Sequence, residues 1–559
     1  MRKKNTLLAL LFCAFSLGGW AQGFIHPGIL HTQADFDRVK EKLATGQEPW
    51  VSAYEKLTSS SHVDLNWKPA PTTKIIRDGG TVWEPDPTNY WNAYRDVATA
   101  YQCALVWKIS GDTRYADKSI QILNAWARTC KAVAGNSNVS LASGIYGYEF
   151  ANAGELMRDY EGWSRVDFAA YQKWMMDVFR PQVFDFLERR HGTVDVHYWS
   201  NWGLCNVLSA ISIGILCDDV YTYNAGMEYY KYMEDRGYAE SLHNLVWILF
   251  DDERGPFGQF GQMQESNRDQ GHATMAALLA ADICGVGLNQ GEDVWRQDND
   301  RIIKGLEYVA AYNSGVDDLP NEPYTQRYNE VYAVMGEGGR GGGRPNWPRI
   351  VNYYENVRGV EVPYSRAMMM KAEGGIDAGG GFYGGNSGGY DHLGFTTLMC
   401  TLDPLEDKEA VPTALGGTLQ YGGLSTTRTE VVNIPKGETI KILVTLPDGE
   451  EDTGNWSWDD DPSCTSPERE FTLDTTSVYR VRYVNAKGVE STRMYSLQVE
   501  GDGYVTPCTP YYKVGSVEGN DTLIYVERSS SLTFGLNDYG PSVREWKWER
   551  STDGESWSS

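Results

Sequence analysis

The feature that most constrains this chain is a hydrophobic periodicity that stays helical from about residue 34 to about residue 312. Apolar residues recur three or four positions apart, as at Tyr94, Val97 and Tyr101, and short Gly, Asp and Ser turns separate the segments. Further helical patterns cover 152–160, 166–188, 203–216, 221–235, 238–249, 269–285 and 301–312. No strand is expected between them, so the region predicts antiparallel helix pairs in a toroid or a stacked array.

The composition changes twice after this region. Between about 313 and 400 it shifts to Gly, Tyr and Arg, which is typical of long functional loops. After about 411 the chain reads as short alternating segments, for example 478–484, which indicates an all-β region. Trp456, Trp458 and Tyr479 resemble the tryptophan and tyrosine-corner pattern of immunoglobulin-like sandwiches, although the inter-sheet cysteines are absent.

These changes predict an all-α domain over 22–405, an immunoglobulin-like β-sandwich over 411–502 and a partial second sandwich over 503–559. Residues 1–21 read as a signal peptide, because a basic start and an apolar stretch precede small residues that end at Ala21. Cleavage after Ala21 would place the protein in the periplasm or outside the cell. No later segment approaches the apolar length of a membrane span.

Charge and composition limit the possible partners. The formal net charge of −25 argues against nucleic acid, whereas an acidic polysaccharide needs only a locally basic cleft. The chain has 19 Trp and 35 Tyr, more than a core requires, and sugar rings stack well on such side chains. The cysteines show neither Cys-x-x-Cys pairs nor zinc spacing, so no metal site is predicted from them.

The strongest candidate for chemistry is a run of four ionisable residues spaced i, i+3, i+4 and i+7: Glu265, Arg268, Asp269 and His272. A helix would place all four on one face, and the apolar stripe that continues through Met275 makes that helix core-facing. A buried stripe that opens with such groups is typical of a polar cleft. The alternative is an internal salt-bridge network that ties helices together.

A second candidate lies just ahead of the helix predicted to begin at residue 203. It contains His197, Tyr198, Asn201 and Trp202. In a helical toroid the ends of the inner helices face a central cleft, so this motif and the Glu265–His272 run are expected to converge. Asn201 could instead cap the helix, His197 could be a surface residue, and Trp202 could belong to the core.

Four motifs in order carry a resemblance to a known family. They are Trp107-Lys-Ile-Ser-Gly-Asp, Gly144-Ile-Tyr-Gly-Tyr-Glu, Tyr198-Trp-x-Asn-Trp and Glu265-x-x-Arg-Asp-x-Gly-His. Together they resemble the alginate lyase superfamily domain of polysaccharide lyases over roughly residues 25–400. The resemblance implies an (α/α) toroid rather than a solenoid. It also implies cleavage of a uronate-containing polysaccharide, alginate-like or glucuronan-like, without naming the polymer.

Lyases of this kind work by β-elimination, so the resemblance implies roles for individual residues. Asn201 and Arg268 would neutralise the uronate carboxylate and stabilise the intermediate. The better-known alginate lyases have Asn-His where this chain has Asn201-Trp202, and a Tyr two turns after the Arg, where this chain has Thr or Met. We therefore expect His272 and Tyr198 to supply the base and the acid, in either order. The alternatives are His197, Tyr146, Tyr148 and the tyrosines at 324, 328 and 332.

Other residues are expected to bind substrate or to position these groups: His197, Trp202, Glu265, Asp269, Tyr146, Tyr148, Arg340 and Arg344. Glu265 and Asp269 would orient Arg268 and His272 by hydrogen bonding. The arginines of the Gly-rich stretch could form a basic lid, or could be solvated loop charges. No metal or cofactor is predicted, because the Asn/Arg pair can neutralise the carboxylate without one.

Two other functions fit the same pattern less well. A glycoside hydrolase on the same scaffold would use Glu265 and Asp269 as its two carboxylates. A non-catalytic exported glycan-binding protein would explain the aromatic content, but binding does not demand so many ionisable residues in one stripe. The predicted partner is an acidic polysaccharide or oligosaccharide substrate, and neither nucleic acid nor a membrane span is expected.

Overall fold

The computed structural model describes residues 23–326, 329–379 and 390–502, with the backbone of three further strands between 509 and 537. The predicted signal peptide lies outside the described residues, as does most of the predicted second sandwich. The α-helices of the described chain are α1 (Gln33–Ala44), α2 (Trp50–Thr58), α3 (Trp91–Ser110), α4 (Thr113–Thr129), α5 (Val139–Met157), α6 (Arg165–Trp174), α7 (Arg180–Arg189), α8 (Ser200–Leu216), α9 (Val220–Lys231), α10 (Leu242–Leu245), α11 (Gln270–Gln290), α12 (Gln297–Ser314), α13 (Trp347–Val351), α14 (Pro363–Met369) and α15 (Thr396–Cys400).

The long helices form a closed ring of inner helices with others packed behind them. Helix α3 contacts α5, α5 contacts α8, and α8 contacts α11. The short helices α13 and α15 and the N-terminal α1 continue the ring from α11 back to α3. Behind these, α4 packs on α3, α7 and α9 pack on α8, and α12 packs on α11. The predicted (α/α) toroid is confirmed.

The inner helices gather their N-terminal ends at one end of the ring. Asn206 of α8 donates a hydrogen bond to the carbonyl of Ser140 in α5 (3.1 Å), and Ser209 donates to Ser143 (3.4 Å). The bonded position moves three residues towards the C-terminus in both helices, from 206 to 209 in α8 and from 140 to 143 in α5. The two helices therefore run parallel. Near the starts of α8 and α11, the Asn201 amide lies 3.9 Å from the Met275 sulfur. The two sequence motifs therefore meet at the same end of the toroid.

Helix α11 lies at the centre of this arrangement. It is the one helix in the described part of the chain whose length and composition would suffice to cross a membrane. In the structure 89% of its most apolar stretch is buried. A helix that is apolar on all sides is expected in such a position inside a large core.

Strands also occur within and after the helical region. They are β1 (Lys74–Arg77), β2 (Ala132–Gly135), β3 (Val246–Asp251), β4 (Gln259–Met263), β5 (Tyr324–Gln326), β6 (Glu330–Tyr332), β7 (Gly416–Tyr421), β8 (Leu424–Thr426), β9 (Glu430–Ile434), β10 (Glu438–Thr445), β11 (Asn455–Trp458), β12 (Glu468–Leu473), β13 (Ser477–Val484), β14 (Glu490–Val499), β15 (Thr509–Val514), β16 (Val517–Gly519) and β17 (Leu532–Asn537).

The prediction that no strand interrupts the helices was wrong. Strands β1 and β2 pair in parallel, and β3–β4 and β5–β6 form antiparallel pairs. The predicted helix over 238–249 is helical only at Leu242–Leu245 and then becomes β3. Its second half, Val-Trp-Ile-Leu-Phe, is a short apolar run rich in β-branched and aromatic residues, for which periodicity cannot distinguish helix from strand.

The C-terminal region is a β-sandwich, as the alternating pattern predicted. One sheet has the strand order β12-β10-β7-β8 and the other has the order β11-β13-β14-β9. Neighbouring strands are antiparallel except β9 and β14, which run parallel. Trp456, Trp458 and Tyr483 lie in the buried cluster between the sheets. Whether the sandwich is immunoglobulin-like stays a prediction.

The sandwich packs directly on the toroid through polar contacts that are mostly buried. Asn224 of α9 donates hydrogen bonds to the carbonyls of Val431 (3.1 Å) and Ser496 (2.8 Å). Arg480 of β13 donates to the carbonyl of Gln290, the last residue of α11 (2.6 Å), and to that of Gly23 (3.1 Å). The sandwich therefore docks at the opposite end of α11 from His272.

A buried triad of charges completes this contact. The Lys231 ammonium is hydrogen-bonded to Glu292 and lies 3.0 Å from the Glu430 carboxylate. Thr429 bridges the two acids, with its hydroxyl 2.7 Å from Glu292 and 3.0 Å from Glu430. Burial, together with the charge of Glu292, raises the pKa of Glu430 to about 8. The two acids share this one cation, and the pKa of Glu292 is lowered while that of Glu430 is raised.

Candidate active site

The start of α8 is held by side chains from the segment before α11. The first backbone N–H groups of a helix have no partner within the helix. Here the N–H of Ser200 donates to Gln264 (3.0 Å), and the N–H of Asn201 donates to Glu265 (2.8 Å). Glu265 is fully buried. A carboxylate beside the N-terminus of a helix also interacts favourably with the helix dipole. The structure thus joins the two motifs through hydrogen bonds from backbone N–H groups of α8 to side chains of the segment before α11.

The start of α11 differs from the prediction. Glu265 and Arg268 lie in a turn, and the helix begins only at Gln270, so the expected single helical face for all four ionisable groups was wrong. Asp269 is the N-cap, and its carboxylate accepts a hydrogen bond from the N–H of His272 (2.9 Å). An Asp side chain that bonds to the backbone two or three residues onward favours a helix start over a helix interior.

Arg268 is held between two carboxylates and an aromatic ring. Its Nη1 donates to Glu265 (3.0 Å), and its Nε lies 3.6 Å from the Asp269 carboxylate. The guanidinium carbon lies 5.2 Å from the centre of the Trp199 ring, within the range of a cation–π contact. The side chain remains 23% exposed. These contacts fix its orientation and leave part of it accessible.

His272 forms a dyad with Asp269. Its Nδ1 lies 2.7 Å from the Asp269 carboxylate, and the imidazole is 20% exposed. Burial acts to raise the pKa of Asp269, but the hydrogen bonds and charge of His272, with the charge of Arg268, outweigh burial and lower it. An ionised Asp269 favours the tautomer in which Nδ1 carries the proton. The lone pair of Nε2 can then accept a proton.

Asn201 does not lie where a direct role would require. It is 1% exposed, its amide nitrogen lies against the Met275 sulfur, and its Oδ1 has no hydrogen-bond partner among the described residues. Direct contact with a substrate carboxylate is therefore not available in this conformation. The capping alternative was also wrong, because α8 begins at Ser200 with Trp199 as N-cap. Spacing alone did not show which side of a fully buried helix the amide would occupy.

Tyr198 lies in an aromatic group beside the start of α8. Its ring packs 4.8 Å from Trp202 and 5.1 Å from Phe186, measured between ring centres. Trp202 is partly buried and supports Tyr198, so it is neither an open sugar platform nor a fully buried core residue. The His197 ring lies 4.8 Å from Tyr198 and is also partly buried. The Tyr198 hydroxyl lies 2.6 Å from Nδ1 of His191, a residue that the sequence did not single out.

The β5–β6 hairpin covers Trp199. The rings of Tyr324 and Tyr332 lie 5.7 Å and 5.1 Å from it. Gln264 donates a hydrogen bond to the Tyr324 hydroxyl (2.9 Å). Burial raises the pKa of Tyr324, and the nearby Glu265 acts in the same direction, so this phenol stays protonated. The hairpin thus forms one wall beside Arg268.

The tyrosines of α5 are buried and do not face a substrate. Tyr146 and Tyr148 are both 0% exposed, so in this conformation they offer no accessible surface for the substrate contact predicted for them. Tyr148 donates to the carbonyl of Asp391 (2.7 Å), and Tyr146 stacks on Tyr90 at 6.2 Å. Burial raises the pKa of Tyr146 well above its usual range. An inner helix of a toroid is covered on several sides, which a single-sequence pattern does not reveal.

The arginines of the Gly-rich stretch do not form the predicted lid. Arg340 donates to the carbonyl of Tyr312 (2.8 Å) and forms an ion pair with Asp317 (2.6 Å). Arg344 is buried and pairs with Asp391 (2.8 Å). The loop itself is tied to α11, where the carbonyl of Gly338 accepts from the first N–H of the helix. Both arginines are thus bonded to nearby acids or carbonyl oxygens. The Gly-rich composition of the stretch did not indicate these contacts.

Within the described ranges, no three His, Cys, Asp or Glu side chains are grouped so as to hold a metal ion. The residues that the structure brings together are Glu265, Arg268, Asp269 and His272, with Trp199 beside them. Tyr198, which immediately precedes Trp199 in the chain, forms a second group with His191. Chemically, the arrangement combines a fixed cation with an imidazole that a carboxylate orients.

Comparison with known proteins gives one matching family and several solved structures with partial similarity. The sequence profile of the family described as Alginate lyase matches residues 39–319, half of the chain. Among solved structures, an alginate lyase from Bacteroides ovatus is 14% identical over 52% of this chain and 84% of that chain, with a TM-score of 0.37. Alginate lyase A1-III from a Sphingomonas species is 15% identical over 58% and 89%, with a TM-score of 0.41. No curated protein sequence matches this chain.

Proposed function

This chain belongs to the alginate lyase family, and we propose that it is a polysaccharide lyase that cleaves a uronate-containing polysaccharide by β-elimination. The observation that supports this most is the group formed by Arg268, Asp269 and His272. It offers a partly exposed cation for a carboxylate, next to an imidazole whose Nδ1 lies 2.7 Å from an ionised Asp. Elimination beside a carboxylate needs both groups.

The proposed reaction begins with the uronate carboxylate against the exposed part of Arg268. Neutralising that carboxylate makes the C5 proton easier to remove, because negative charge moves onto the carboxyl oxygens as the C5–H bond breaks. Nε2 of His272 takes the C5 proton, and Asp269 stabilises the imidazolium that forms. The electron pair of the C5–H bond becomes the C4–C5 double bond.

Departure of the O4 oxygen completes the elimination. The C4–O4 bond breaks with its electron pair on O4, and we propose that Tyr198 gives its hydroxyl proton to this oxygen. Trp199 supports the assignment, because it follows Tyr198 directly and its ring contacts Arg268. Water then returns a proton to Tyr198, while His272 releases the C5 proton to solvent. The products are one new reducing end and one 4,5-unsaturated uronate.

Hydrolysis by Glu265 and Asp269 is less consistent with their surroundings. A glycoside hydrolase needs one protonated carboxyl group and one carboxylate facing the scissile bond. Glu265 is fully buried and already accepts hydrogen bonds from Arg268 and the backbone N–H of Asn201. The pKa of Asp269 is lowered, which is unsuited to a general acid. Both acids are better placed to orient neighbours.

The decisive experiment follows ultraviolet absorbance while the protein is incubated with alginate, glucuronan, pectate or glycosaminoglycans. Elimination creates a conjugated double bond, so absorbance should rise in step with new reducing ends for one of these polymers. The change His243→Gln serves as the surface control for the site variants described below, because this histidine is more than half exposed and pairs with Asp298. Reducing ends without absorbance would mean hydrolysis, and no cleavage of any polymer would overturn the proposal.

Replacing Asp269 with Asn tests the dyad. Asn caps helices as well as Asp does, so α11 should keep its start and the thermal stability should change little. The negative charge that stabilises the His272 imidazolium would be lost, and we expect kcat to fall on the order of 10²-fold, the lower end of the range for general base catalysis. A kcat within threefold of the unchanged protein would show that His272 does not act as the base.

A further inference from the structure

A hydrogen-bonded chain of three side chains links the starts of the inner helices α5 and α8. Nδ1 of His191 lies 2.6 Å from the Tyr198 hydroxyl, and its Nε2 lies 2.8 Å from the Ser140 hydroxyl. Tyr198 precedes α8, and Ser140 lies in the first turn of α5. His191 comes from the segment after α7, so three separate parts of the chain must be in place to form this contact.

The backbone at Arg190 and His191 adopts a conformation that is uncommon for residues other than glycine. Arg190 and His191 have φ values of 47° and 55°, in the left-handed region. For residues other than Gly this region costs roughly 1–2 kcal/mol per residue. Such conformations persist only where the surroundings impose them, and they concentrate at functional sites. Two in succession indicate that the position of the imidazole is strongly determined.

Contacts of the Arg190 side chain stabilise this turn. Its side chain is 2% exposed and forms an ion pair with the buried Glu240. Its guanidinium carbon lies 4.2 Å from the centre of the Tyr238 ring. A buried, paired guanidinium cannot leave its position without a large cost in desolvated charge. Because His191 is the next residue, this anchor also fixes the start of its side chain.

The surroundings keep His191 uncharged near neutral pH. Burial lowers its pKa, and the charges of Arg189, His197 and Arg190 act in the same direction, whereas Asp185 acts to raise it. The ring centres of Phe186 and Trp202 lie 5.4 Å and 6.4 Å from that of the imidazole. A neutral imidazole has one N–H donor and one acceptor nitrogen, so it can bond to Tyr198 and Ser140 at the same time.

We propose that His191 is a positioning residue for Tyr198, which it holds in place and whose phenolate it stabilises during the reaction. The inference rests on the proposed function. When Tyr198 gives its proton to the departing O4, the phenolate that remains accepts the Nδ1–H of His191. In this tautomer Nε2 is the acceptor, and the Ser140 hydroxyl, 2.8 Å away, can donate to it. After the product leaves, water reprotonates the phenolate, and His191 ends each cycle unchanged.

Three variants separate this role from simple packing. His191→Ala removes both hydrogen bonds, and we expect kcat to fall on the order of 10²-fold with little change in KM. His191→Asn retains an N–H donor near the position of Nδ1, and Asn tolerates the left-handed conformation better than most residues. We expect it to recover kcat to within about tenfold of the unchanged protein. Tyr198→Phe removes the hydroxyl group that His191 is proposed to position.

The decisive readouts are the pH profile and the double variant. In His191→Ala the alkaline limb of the kcat profile should move to higher pH, because the phenolate has lost its stabilising donor. Combining His191→Ala with Tyr198→Phe should cost no more than Tyr198→Phe alone, since both changes act through one group. The proposal would be overturned if the losses of kcat in the two single variants multiplied in the double variant, or if the alkaline limb did not move. It would also be overturned if His191→Asn failed to recover kcat although its melting temperature was unchanged. If the unchanged protein produces no ultraviolet product, the proposed function fails instead.

Discussion

Replacing Arg268 with alanine is expected to lower kcat/KM by about 10²- to 10³-fold, the usual cost of removing one group that stabilises developing charge. Arg268 is the partly exposed cation of the site, held by Glu265 and Asp269. Without it, charge that moves onto the uronate carboxylate has no fixed counter-charge. The measurement is the initial rate of absorbance increase on the polymer that the unchanged protein cleaves, over a range of substrate concentrations.

The change Arg268→Lys is the matched control for charge. A lysine keeps the positive charge but cannot reproduce the planar, multiply bonded geometry of guanidinium, so we expect it to recover only part of the lost activity. Thermal unfolding of both variants checks that Glu265 still holds the start of α8 through the Asn201 N–H. If the alanine variant folds and keeps its rate within threefold, another residue neutralises the carboxylate.

Replacing Lys231 with methionine is expected to lower the free energy of unfolding by about 3–5 kcal/mol, as for other buried ion pairs that lose one partner. Lys231 is buried, and both Glu292 and Glu430 bond to its ammonium group. Methionine fills similar space but leaves a buried carboxylate without a cation. Chemical denaturation at pH 7 provides the measurement. A loss below about 1 kcal/mol would show that water, not Lys231, stabilises these acids.

The same triad makes stability depend on pH. The pKa of Glu430 is raised from its ordinary value of 4.5 to about 8 in the folded protein. A group with a raised folded-state pKa contributes stability that is fully present below pH 4.5 and is lost as the pH rises through about 8. Glu430→Gln, which cannot ionise, should flatten this slope while changing stability little at low pH. An unchanged slope would assign the dependence to other groups.

The sequence predicted the parts of the fold that depend on local pattern. The long apolar helices, including α11, and the alternating strands of the sandwich were readable because their periods of 3.6 and 2 are strong. The ring arrangement came from the family resemblance. The β3–β4 pair was missed because it depends on pairing with a partner strand, and pairing is a property of the folded chain.

The candidate site was predictable only in part, for the same reason. The Arg268, Asp269 and His272 group is local in sequence, so its members were found, although Asp269 proved to be a cap. The burial of Asn201 and the contact of His191 with Ser140 depend on how separate helices pack. Left-handed backbone at a non-glycine residue, as at His191, has no signal in a single sequence.

One strand of the sandwich has a consequence for how the whole chain unfolds. Val481 and Tyr483 of β13 face the sandwich core, whereas Val478 of the same strand and Met494 of β14 belong to the hydrophobic core of the toroid. Arg480, also in β13, bonds to the end of α11. The sandwich therefore contributes side chains to the hydrophobic core of the toroid, and the two parts stabilise each other. Folding cooperativity should extend across it, so that calorimetry records one transition for the all-α and all-β parts together.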